Sequence, residues 1–571
     1  MRLEKSLKLE KLCLLAEVSP ISHVFLLTEP WRVDRGTKFG DGLRRRRIRQ
    51  RSSGNEFRSA VVKRGDASNR RLRIVLAASE AVPFSKTGGL ADVTGALARA
   101  LDAAGHDVVL IVPDYLPLRQ AQRGLPAVHA TGVDVTVEMH GRPVRGEVNW
   151  SQLPGTGVRV LLLRQPEYFD RSQPYGNGNG GYSDNCERFC FFSRAVPEIC
   201  RRLVLRPDVI HCNDWQTGLI PALVHAHYAG TPGFEHTATV MTIHNMAYQG
   251  RFWHLDMPLT GLDWRYFNHH QLEAWGELNL LKAGIAFADQ VTTVSPTYAE
   301  EICTPEGGYG LDGLLRYRRG DLSGILNGID AAVWNPETDA CLPKAYSAKT
   351  HREGKAACRR YLQQRMKLPP AESVPVVGMV SRMVDQKGFD LVMGAADRLL
   401  QRNVQMVFLG TGDPHYEHML RGMAERYPRQ VAARIGFDES LAHQIEAGAD
   451  IFLMPSRFEP CGLNQMYSLR YGTVPVVRRV GGLADSVRNY SGQPDSLQQA
   501  DGFVFSDYTV EAFRHTVERA LDTWQDRNTW DQLVQNGMSR DWSWQHSAEQ
   551  YLDVYDKAAN RIPKRHAEGR A

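Results

Sequence analysis

Short apolar, β-branched runs alternate with longer helical stretches along this chain, and they do so in two separate series. The first series begins at residues 72–78 (Leu-Arg-Ile-Val-Leu-Ala-Ala), and the second begins at residues 374–380 (Val-Pro-Val-Val-Gly-Met-Val). Such alternation is typical of parallel sheets that are covered by helices. At 571 residues the chain is also too long for one hydrophobic core. The pattern therefore predicts an α/β protein with two Rossmann-like domains that face each other across a cleft.

The stretch between the two series is rich in turn formers and prolines, so it is predicted to connect the domains. The last strand before this connection is predicted at residues 324–330. A helical tail after the second series is expected to pack on one of the domains. The predicted segments are a basic extension (1–70), a first domain (71–330), the connection (331–372), a second domain (373–540) and the tail (541–571).

The net charge of +5 is unevenly distributed, because residues 1–70 contain 17 Lys/Arg against 8 Asp/Glu while the remainder contains 52 against 56. The folded body is thus mildly acidic, which argues against nucleic acid as a partner. The basic segment is expected to be a disordered extension without a catalytic role. A polyanion-binding arm, part of a transit peptide, or a translation start assigned too far upstream are the alternatives.

Nine cysteines without a Cys-x-x-Cys pair favour free thiols over a disulfide framework or a zinc site. Free thiols fit a reducing compartment, and we expect a cytoplasmic protein. No run of 18 apolar residues occurs, which argues against a membrane partner or a membrane span. The chain also lacks an Asp-x-Asp motif, so neither a metal nor another cofactor is expected.

Residues 455–465 (Pro-Ser-Arg-Phe-Glu-Pro-Cys-Gly-Leu-Asn-Gln) join the apolar run 451–454 to a helical stretch. They hold Glu459 in a proline-bounded turn directly ahead of Gly462, which opens the helix. Free N–H groups at a helix start suit a phosphate. We therefore predict that Glu459 holds a sugar while the helix start holds a nucleotide diphosphate.

Two further loops follow predicted strands and combine cations with glycine. Residues 86–93 (Lys-Thr-Gly-Gly-Leu-Ala-Asp-Val) place Lys86 ahead of a glycine pair that opens a helix, which suits a bound anion. Residues 381–388 (Ser-Arg-Met-Val-Asp-Gln-Lys-Gly) place Arg382 and Lys387 around one turn, where both could reach one diphosphate. Each loop alone also fits a structural role, as a tight turn or a solvated charged turn.

Other polar residues fall at the ends of predicted strands. Asp214 and His244 each follow a strand of the first domain, and residues 410–413 (Gly-Thr-Gly-Asp) follow a strand of the second. Open α/β sheets bind ligands beyond the carboxyl ends of their strands. An isolated Asp-Trp or His-Asn pair is more often structural, so the value of these residues comes from sharing a sheet end with Lys86.

Four motifs now stand in order: residues 86–93, 242–250 (Thr-Ile-His-Asn-Met-Ala-Tyr-Gln-Gly), 455–463 and 481–487 (Gly-Gly-Leu-Ala-Asp-Ser-Val). In this combination the chain resembles the bacterial glycogen synthases, a family close to the plant starch synthases, over about residues 71–560. The resemblance implies a GT-B fold. It also implies transfer of glucose, with retained anomeric configuration, from ADP-glucose to the nonreducing end of an α-1,4-glucan such as glycogen or a malto-oligosaccharide, with release of ADP.

The resemblance further implies roles for individual residues. The catalytic group would be His244, Asp214, Glu459, Arg382 and Lys387. The donor-binding group would be Lys86, Gly88, Gly89, Asp92, Asn245, Gly412, Phe437, Cys461, Gly462, Leu463 and Asn464. Within this group, backbone N–H groups of Gly462 and Leu463 would meet the phosphates, and the Cys461 thiol would lie beside the site without acting as a nucleophile.

Three positions depart from the pattern of many bacterial relatives, which have threonine at position 464, tyrosine at 437 and histidine at 213. Here these positions are Asn464, Phe437 and Asn213. A phosphate-side hydrogen bond remains plausible at Asn464, and stacking on adenine can persist at Phe437 without the hydroxyl contact. None of the three changes removes a charged group that the chemistry needs.

Rival interpretations stay open at this point. A double displacement through Glu459 competes with front-face substitution. A nicotinamide oxidoreductase would share the sheets, but no Gly-x-Gly-x-x-Gly fingerprint directly joins a predicted strand to a helix. A noncatalytic glucan-binding protein and a GT-B enzyme that makes small glucosides are further alternatives. The residues alone do not separate ADP-glucose from UDP-glucose, since both present the same diphosphate.

Overall fold

The structure is a computed structural model that describes residues 70–121, 125–177 and 180–562. The predicted basic extension therefore lies outside the described residues, except for Arg70. Among the helices of the described ranges, none combines the length and the apolar character that a membrane span needs.

The strands are β1 (Arg73–Ala77), β2 (Asp107–Pro113), β3 (His129–Met139), β4 (Arg142–Gln152), β5 (Arg159–Arg164), β6 (Val209–Asn213), β7 (Ala238–Ile243), β8 (Arg251–Trp253), β9 (Glu273–Ala274), β10 (Glu277–Asn279), β11 (Gln290–Thr293), β12 (Leu322–Gly324), β13 (Val376–Val380), β14 (Gln405–Gly410), β15 (Val431–Ile435), β16 (Ile451–Met454), β17 (Val474–Arg478) and β18 (Phe503–Phe505).

The α-helices are α1 (Gly89–Ala103), α2 (Leu116–Ala121), α3 (Pro166–Phe169), α4 (Asn185–Arg202), α5 (Leu219–Leu223), α6 (Leu280–Phe287), α7 (Pro296–Glu301), α8 (Pro305–Gly308), α9 (Asp312–Tyr317), α10 (His351–Arg365), α11 (Phe389–Leu399), α12 (Pro414–Arg426), α13 (Glu439–Gly448), α14 (Asn464–Arg470), α15 (Gly481–Ser486), α16 (Pro494–Leu497), α17 (Val510–Gln525), α18 (Arg527–Met538) and α19 (Trp544–Ala559).

The first domain is built on a nine-stranded sheet of order β12-β11-β7-β6-β1-β2-β5-β4-β3. The strands from β12 to β5 in this order run parallel, and β4 and β3 add an antiparallel edge. Strands β6 and β7 are buried along their whole length, as expected for parallel strands covered on both faces. Their carboxyl ends therefore deliver Asp214 and His244 to one edge of the sheet.

The second domain is built on a six-stranded parallel sheet of order β15-β14-β13-β16-β17-β18. Strands β13 and β16 are neighbours near its centre, so the loops that follow them emerge side by side. These loops carry Lys387 and Glu459, which are far apart in the sequence. The parallel register thus brings two predicted site residues to the same sheet edge.

The stretch predicted to connect the domains contains helix α10, which packs on the second domain. Lys355 in α10 is buried and donates hydrogen bonds to the Ala447 carbonyl oxygen (3.0 Å) and the Thr473 hydroxyl (2.6 Å). The irregular segment that connects the domains is therefore shorter than the predicted connection at residues 331–372.

The tail returns to the first domain. Helix α19 buries Trp544, Tyr551 and Tyr555 in the core that lines α1 and the central strands. The hydroxyl of Tyr555 lies 2.9 Å from Nδ1 of the buried His211 in β6. The chain therefore crosses between the domains twice, and its last helix supports a strand that leads to the site.

The prediction of a strand at residues 324–330 is wrong, because β12 ends at Gly324. Beyond this point the chain leaves the sheet, and its apolar residues are buried against the start of the tail instead. The Ile329 N–H donates to the Trp542 carbonyl oxygen at 2.8 Å. A short apolar run does not reveal whether its partner is a strand or a returning segment.

Candidate active site

Glu80 anchors the loop that carries Lys86, although no sequence motif marks it. Its carboxylate accepts hydrogen bonds from the hydroxyls of Thr87 (2.9 Å) and Tyr175 (2.9 Å). Only 2% of Glu80 is exposed. Burial raises the pKa of this carboxyl, while hydrogen bonds from Thr87 and Tyr175 oppose the shift. Glu80 thus stabilises the position of the glycine-containing loop through Thr87.

Gly88 and Gly89 leave room for a ligand at the start of α1. A β-carbon built at either position meets no atom within 4 Å, so packing inside the chain does not demand glycine. Neither N–H group has an acceptor within the described residues. Lys86 pairs with Asp92 (Nζ–Oδ1 2.8 Å), while burial raises the pKa of the Asp92 carboxyl. Asp92 therefore orients Lys86, and the loop offers N–H groups and a cation to an anion.

Asp214 and His244 meet at the carboxyl edge of the first sheet. A carboxylate oxygen of Asp214 accepts the His244 backbone N–H at 2.8 Å. Asp214 has φ +58°, a conformation that costs a non-glycine residue about 1–3 kcal/mol. Burial raises the pKa of Asp214 to about 7. A strained carboxyl with a raised pKa at a sheet edge is typical of functional sites.

His244 is neutral at physiological pH, because burial lowers its pKa to about 3. Its Nε2 lies 3.0 Å from Oδ1 of Asn213, at the end of β6. The neighbouring Asn245 donates its backbone N–H to Asp214 and accepts the Ala247 N–H at 3.0 Å. His244 is therefore suited to hydrogen bonding rather than to carrying a charge.

Lys387 and Glu459 form an ion pair on the second domain, with Nζ 2.6 Å from Oε2. The same carboxylate oxygen accepts the Ser456 hydroxyl at 2.9 Å. The two loops approach closely because Gly388, at φ +74°, lies against Pro455, where a β-carbon would meet the carbonyl oxygen at 2.1 Å. The pair is largely buried, with side-chain exposures of 18% for Lys387 and 8% for Glu459.

The start of α14 presents unpaired N–H groups beside this pair. Gly462 adopts φ +71°, and neither its N–H nor that of Leu463 has an acceptor within the described residues. Asn464 donates from Nδ2 to the Val380 carbonyl oxygen at 2.8 Å, which ties α14 to the end of β13. Burial raises the pKa of the Cys461 thiol to about 12, so the thiol stays protonated and is not a nucleophile at neutral pH.

The remaining predicted residues differ in their surroundings. The Arg382 side chain is exposed and has no hydrogen bond or ion pair among the described residues, so its guanidinium is available to a ligand. Gly412 is needed for packing, because a β-carbon there would meet the Met383 carbonyl oxygen at 2.4 Å. Its N–H already donates to Glu417 at 3.0 Å. The Phe437 side chain is 85% exposed, and its stacking on adenine stays a prediction.

Hydrogen bonds join the two domains next to Glu459. They involve residues that the sequence had not indicated as part of the site. The Ser295 hydroxyl of the first domain donates to the Pro460 carbonyl oxygen at 2.8 Å. The Thr297 hydroxyl donates to Asp485 at 2.7 Å. Asp485 belongs to the motif at residues 481–487, and this motif was the sequence signal that could have identified it. These contacts place the Glu459 loop at the sheet edge that also carries His244.

One group of possible metal ligands exists within the described residues, and it consists of Asp339, Cys341 and His443. The Asp339 carboxylate already accepts hydrogen bonds from His443 Nδ1 (2.7 Å) and from the Tyr471 hydroxyl (2.6 Å). The His443 ring stacks on Trp334, with centroids 3.9 Å apart. Asp339 and His443 thus already have hydrogen-bond partners, and they have a structural role near the interdomain connection.

Comparisons with known proteins agree with this geometry. Residues 73–317 match the starch synthase catalytic domain family, and residues 362–537 match the glycosyl transferases group 1 family. The glycogen synthase of Anaeromyxobacter dehalogenans is 48% identical over 485 residues, which cover 85% of this chain and 99% of the relative. That of Koribacter versatilis is 46% identical over 487 residues, covering 85% and 98%.

Solved structures give the same result for the fold. The catalytic domain of starch synthase IV from Arabidopsis thaliana, bound to ADP and acarbose, superposes with a TM-score of 0.79 at 35% identity and covers 86% of this chain and 100% of its own. A sucrose-phosphate synthase from Thermosynechococcus elongatus, at 16% identity and a TM-score of 0.53, shares the fold alone. The predicted GT-B architecture is confirmed. The chain belongs to the glycogen synthase family of glycosyltransferases, close to the starch synthases.

Proposed function

We propose that this glycosyltransferase moves glucose from ADP-glucose to the 4-hydroxyl at the nonreducing end of an α-1,4-glucan, with retained configuration and release of ADP. The observation that carries the proposal is the Lys387–Glu459 pair (2.6 Å) next to the unpaired N–H groups of Gly462 and Leu463. A carboxylate for sugar hydroxyls, a cation and free N–H groups suit a sugar diphosphate. The starch synthase IV that was solved with ADP and acarbose supports nucleotide and glucan ligands.

The chemistry would depend on stabilising the leaving diphosphate. Negative charge builds up on this group as the glycosyl bond breaks, and preorganised donors stabilise such charge. Lys387 and Arg382 would act from the second domain, and the Lys86 loop from the first. We favour front-face substitution, in which the leaving phosphate oxygen takes the proton of the incoming 4-hydroxyl. Because His244 is neutral, with a pKa of about 3, it would not act as a general acid toward the leaving phosphate.

The reaction would proceed without a metal or another cofactor, since cations and N–H groups of the chain can meet the diphosphate. We place it in the cytoplasm, because all cysteines of the described residues are free thiols. Two rivals remain testable. Double displacement would require a glucosyl group trapped on Glu459, and a metal-dependent reaction would stop with a chelator and resume with magnesium.

One assay tests the proposed function. Nucleotide release is measured from ADP-glucose and from UDP-glucose, each with and without glycogen. We expect ADP release that depends on glycogen and is faster than UDP release. Turnover with small acceptors but not with glycogen would favour an enzyme that makes small glucosides. Glycogen binding without nucleotide release would favour a noncatalytic protein.

A further inference from the structure

Asn213 ends strand β6 and joins β1 to His244. Its Nδ2 donates to the Ala77 carbonyl oxygen at 3.1 Å, and its Oδ1 lies 3.0 Å from Nε2 of His244. A carbonyl oxygen only accepts hydrogen bonds, so the amide must turn its NH₂ group toward Ala77 and its oxygen toward the imidazole. Only 2% of Asn213 is exposed, so its amide has little contact with bulk water that could compete for these bonds.

This orientation determines which ring nitrogen of His244 carries the proton. Oδ1 of Asn213 accepts, so Nε2 must donate. Since the half-buried ring is neutral, Nδ1 is then unprotonated and can accept a hydrogen bond. Nδ1 has no hydrogen-bond partner among the described residues. The titratable neighbours do not change this assignment, because Asp214 is occupied by backbone N–H groups and the pKa of the buried His211 is itself lowered to about 3.

We propose that Asn213 is a positioning residue, which fixes the His244 ring with its proton on Nε2 so that Nδ1 accepts a hydrogen bond from a hydroxyl of the bound glucosyl group. The role in turnover rests on the proposed function. His244 then serves as a neutral acceptor for the donor sugar. This explains the asparagine at position 213, where many bacterial relatives have histidine. An amide whose NH₂ is held by Ala77 has one orientation only, whereas a second imidazole could either donate or accept.

Asn213→Asp gives the sharpest test. The carboxylate cannot donate to the Ala77 carbonyl oxygen and attracts a second proton onto His244, so that both ring nitrogens become donors. The wild type and the variant are labelled with ¹⁵N-histidine, and the His244 signals are assigned by their loss in His244→Gln. In the ligand-free wild type we expect a proton on Nε2 only, and with ADP-glucose alone we expect the Nδ1 signal to move while Nε2 keeps its proton.

In Asn213→Asp we expect a doubly protonated ring near neutral pH. We also expect kcat to fall on the order of 10- to 100-fold, the equivalent of one lost polar hydrogen bond, and to recover in part as the pH rises. The KM for glycogen should stay unchanged. Gln363→Ala is the matched control, because Gln363 is a buried amide (1% exposed) that bridges Ala371 and Gln405 in the second domain. This control should leave the His244 signals and kcat as in the wild type.

The proposal is overturned by a proton on Nδ1 in the wild type, by an Nδ1 signal that ADP-glucose does not move, or by an Asn213→Asp variant with a neutral ring and normal kcat. Failure of the proposed function looks different, since the wild type would then release no ADP from ADP-glucose in the presence of glycogen. The tautomer itself is measured on the free protein and does not depend on that reaction.

Discussion

Replacing Lys387 by methionine should separate the contribution of this residue to stability from its contribution to catalysis. Lys387→Met keeps most of the side-chain length and removes the charge that lies 2.6 Å from Glu459. Among the described residues, the Glu459 carboxylate, 8% exposed, would then keep only the Ser456 hydroxyl as a hydrogen-bond donor. The substitution therefore leaves a nearly buried charge without its partner.

The expected loss of stability lies between two known limits. Exposed ion pairs contribute about 0–1 kcal/mol, while breaking a fully buried pair costs about 3–5 kcal/mol. Since 18% of the Lys387 side chain is exposed, we expect Lys387→Met to lower the free energy of unfolding by about 2–3 kcal/mol. Glu459→Gln in the same chain removes the stranded charge, so the double variant should regain more than half of this loss.

Catalysis should not recover with stability. Loss of one preorganised donor for the leaving group costs on the order of 10²–10³ in rate, and the double variant lacks both the cation and the sugar-binding carboxylate. Urea unfolding gives the stabilities, and ADP release from ADP-glucose with glycogen gives the rates. Lys344→Met is the matched control, because Lys344 pairs with Glu353 on the surface (48% and 79% exposed). It should cost less than about 1 kcal/mol and leave turnover intact.

Two results would refute this reasoning. Near-normal turnover by folded Lys387→Met would remove Lys387 from the mechanism. A double variant no more stable than the single one would show that the unpaired Glu459 carboxylate is not the source of the instability.

Asp214→Asn should flatten the pH dependence of stability. In the wild type Asp214 makes the free energy of unfolding fall by about 3 kcal/mol between pH 4 and 7, because the carboxyl of the unfolded chain releases its proton over this range while the folded one, with a pKa of about 7, largely keeps it. Urea titrations across this range check the prediction, and parallel curves for both proteins would contradict it. Cys461→Ala should keep turnover. Iodoacetamide should not inactivate the wild type, since the Cys461 thiol stays protonated at neutral pH. Inactivation by alkylation at Cys461 would count against this prediction. Tyr555→Phe should lower the unfolding free energy by about 1–3 kcal/mol, because the buried Nδ1 of His211 loses its partner. An unchanged urea midpoint would show that the tail hydroxyl contributes nothing.

The sequence by itself determined the elements whose physical cause is local. Buried parallel strands must be apolar on both faces, so most of the central strands stand out as short apolar runs. Glycine pairs, prolines and helix starts are also local, which is why residues 86–93 and 455–465 could be recognised as loops at helix starts. The order of strands and helices along the chain predicted two Rossmann-like domains, and the resemblance of four motifs to the bacterial glycogen synthases predicted the family.

Elements with mixed composition escaped prediction. The edge strands β3 and β4 alternate polar and apolar residues and carry many exposed side chains, so they lack a buried run. Helix α10 contains many charged residues, and its place on the second domain depends on burying Lys355. In both cases the partner surface, and not the segment, decides the structure.

Only the tertiary structure decided how the site is assembled. Glu80 gains its role from Thr87 and Tyr175, and the latter lies 95 residues away. The Lys387–Glu459 pair spans 72 residues and forms because β13 and β16 are neighbours in the sheet. The distance between two charges, and their burial, depend on contacts between distant segments, whereas sequence patterns report only on near neighbours. The chemical groups of this enzyme could thus be named from the sequence, while their pairing and protonation required the fold.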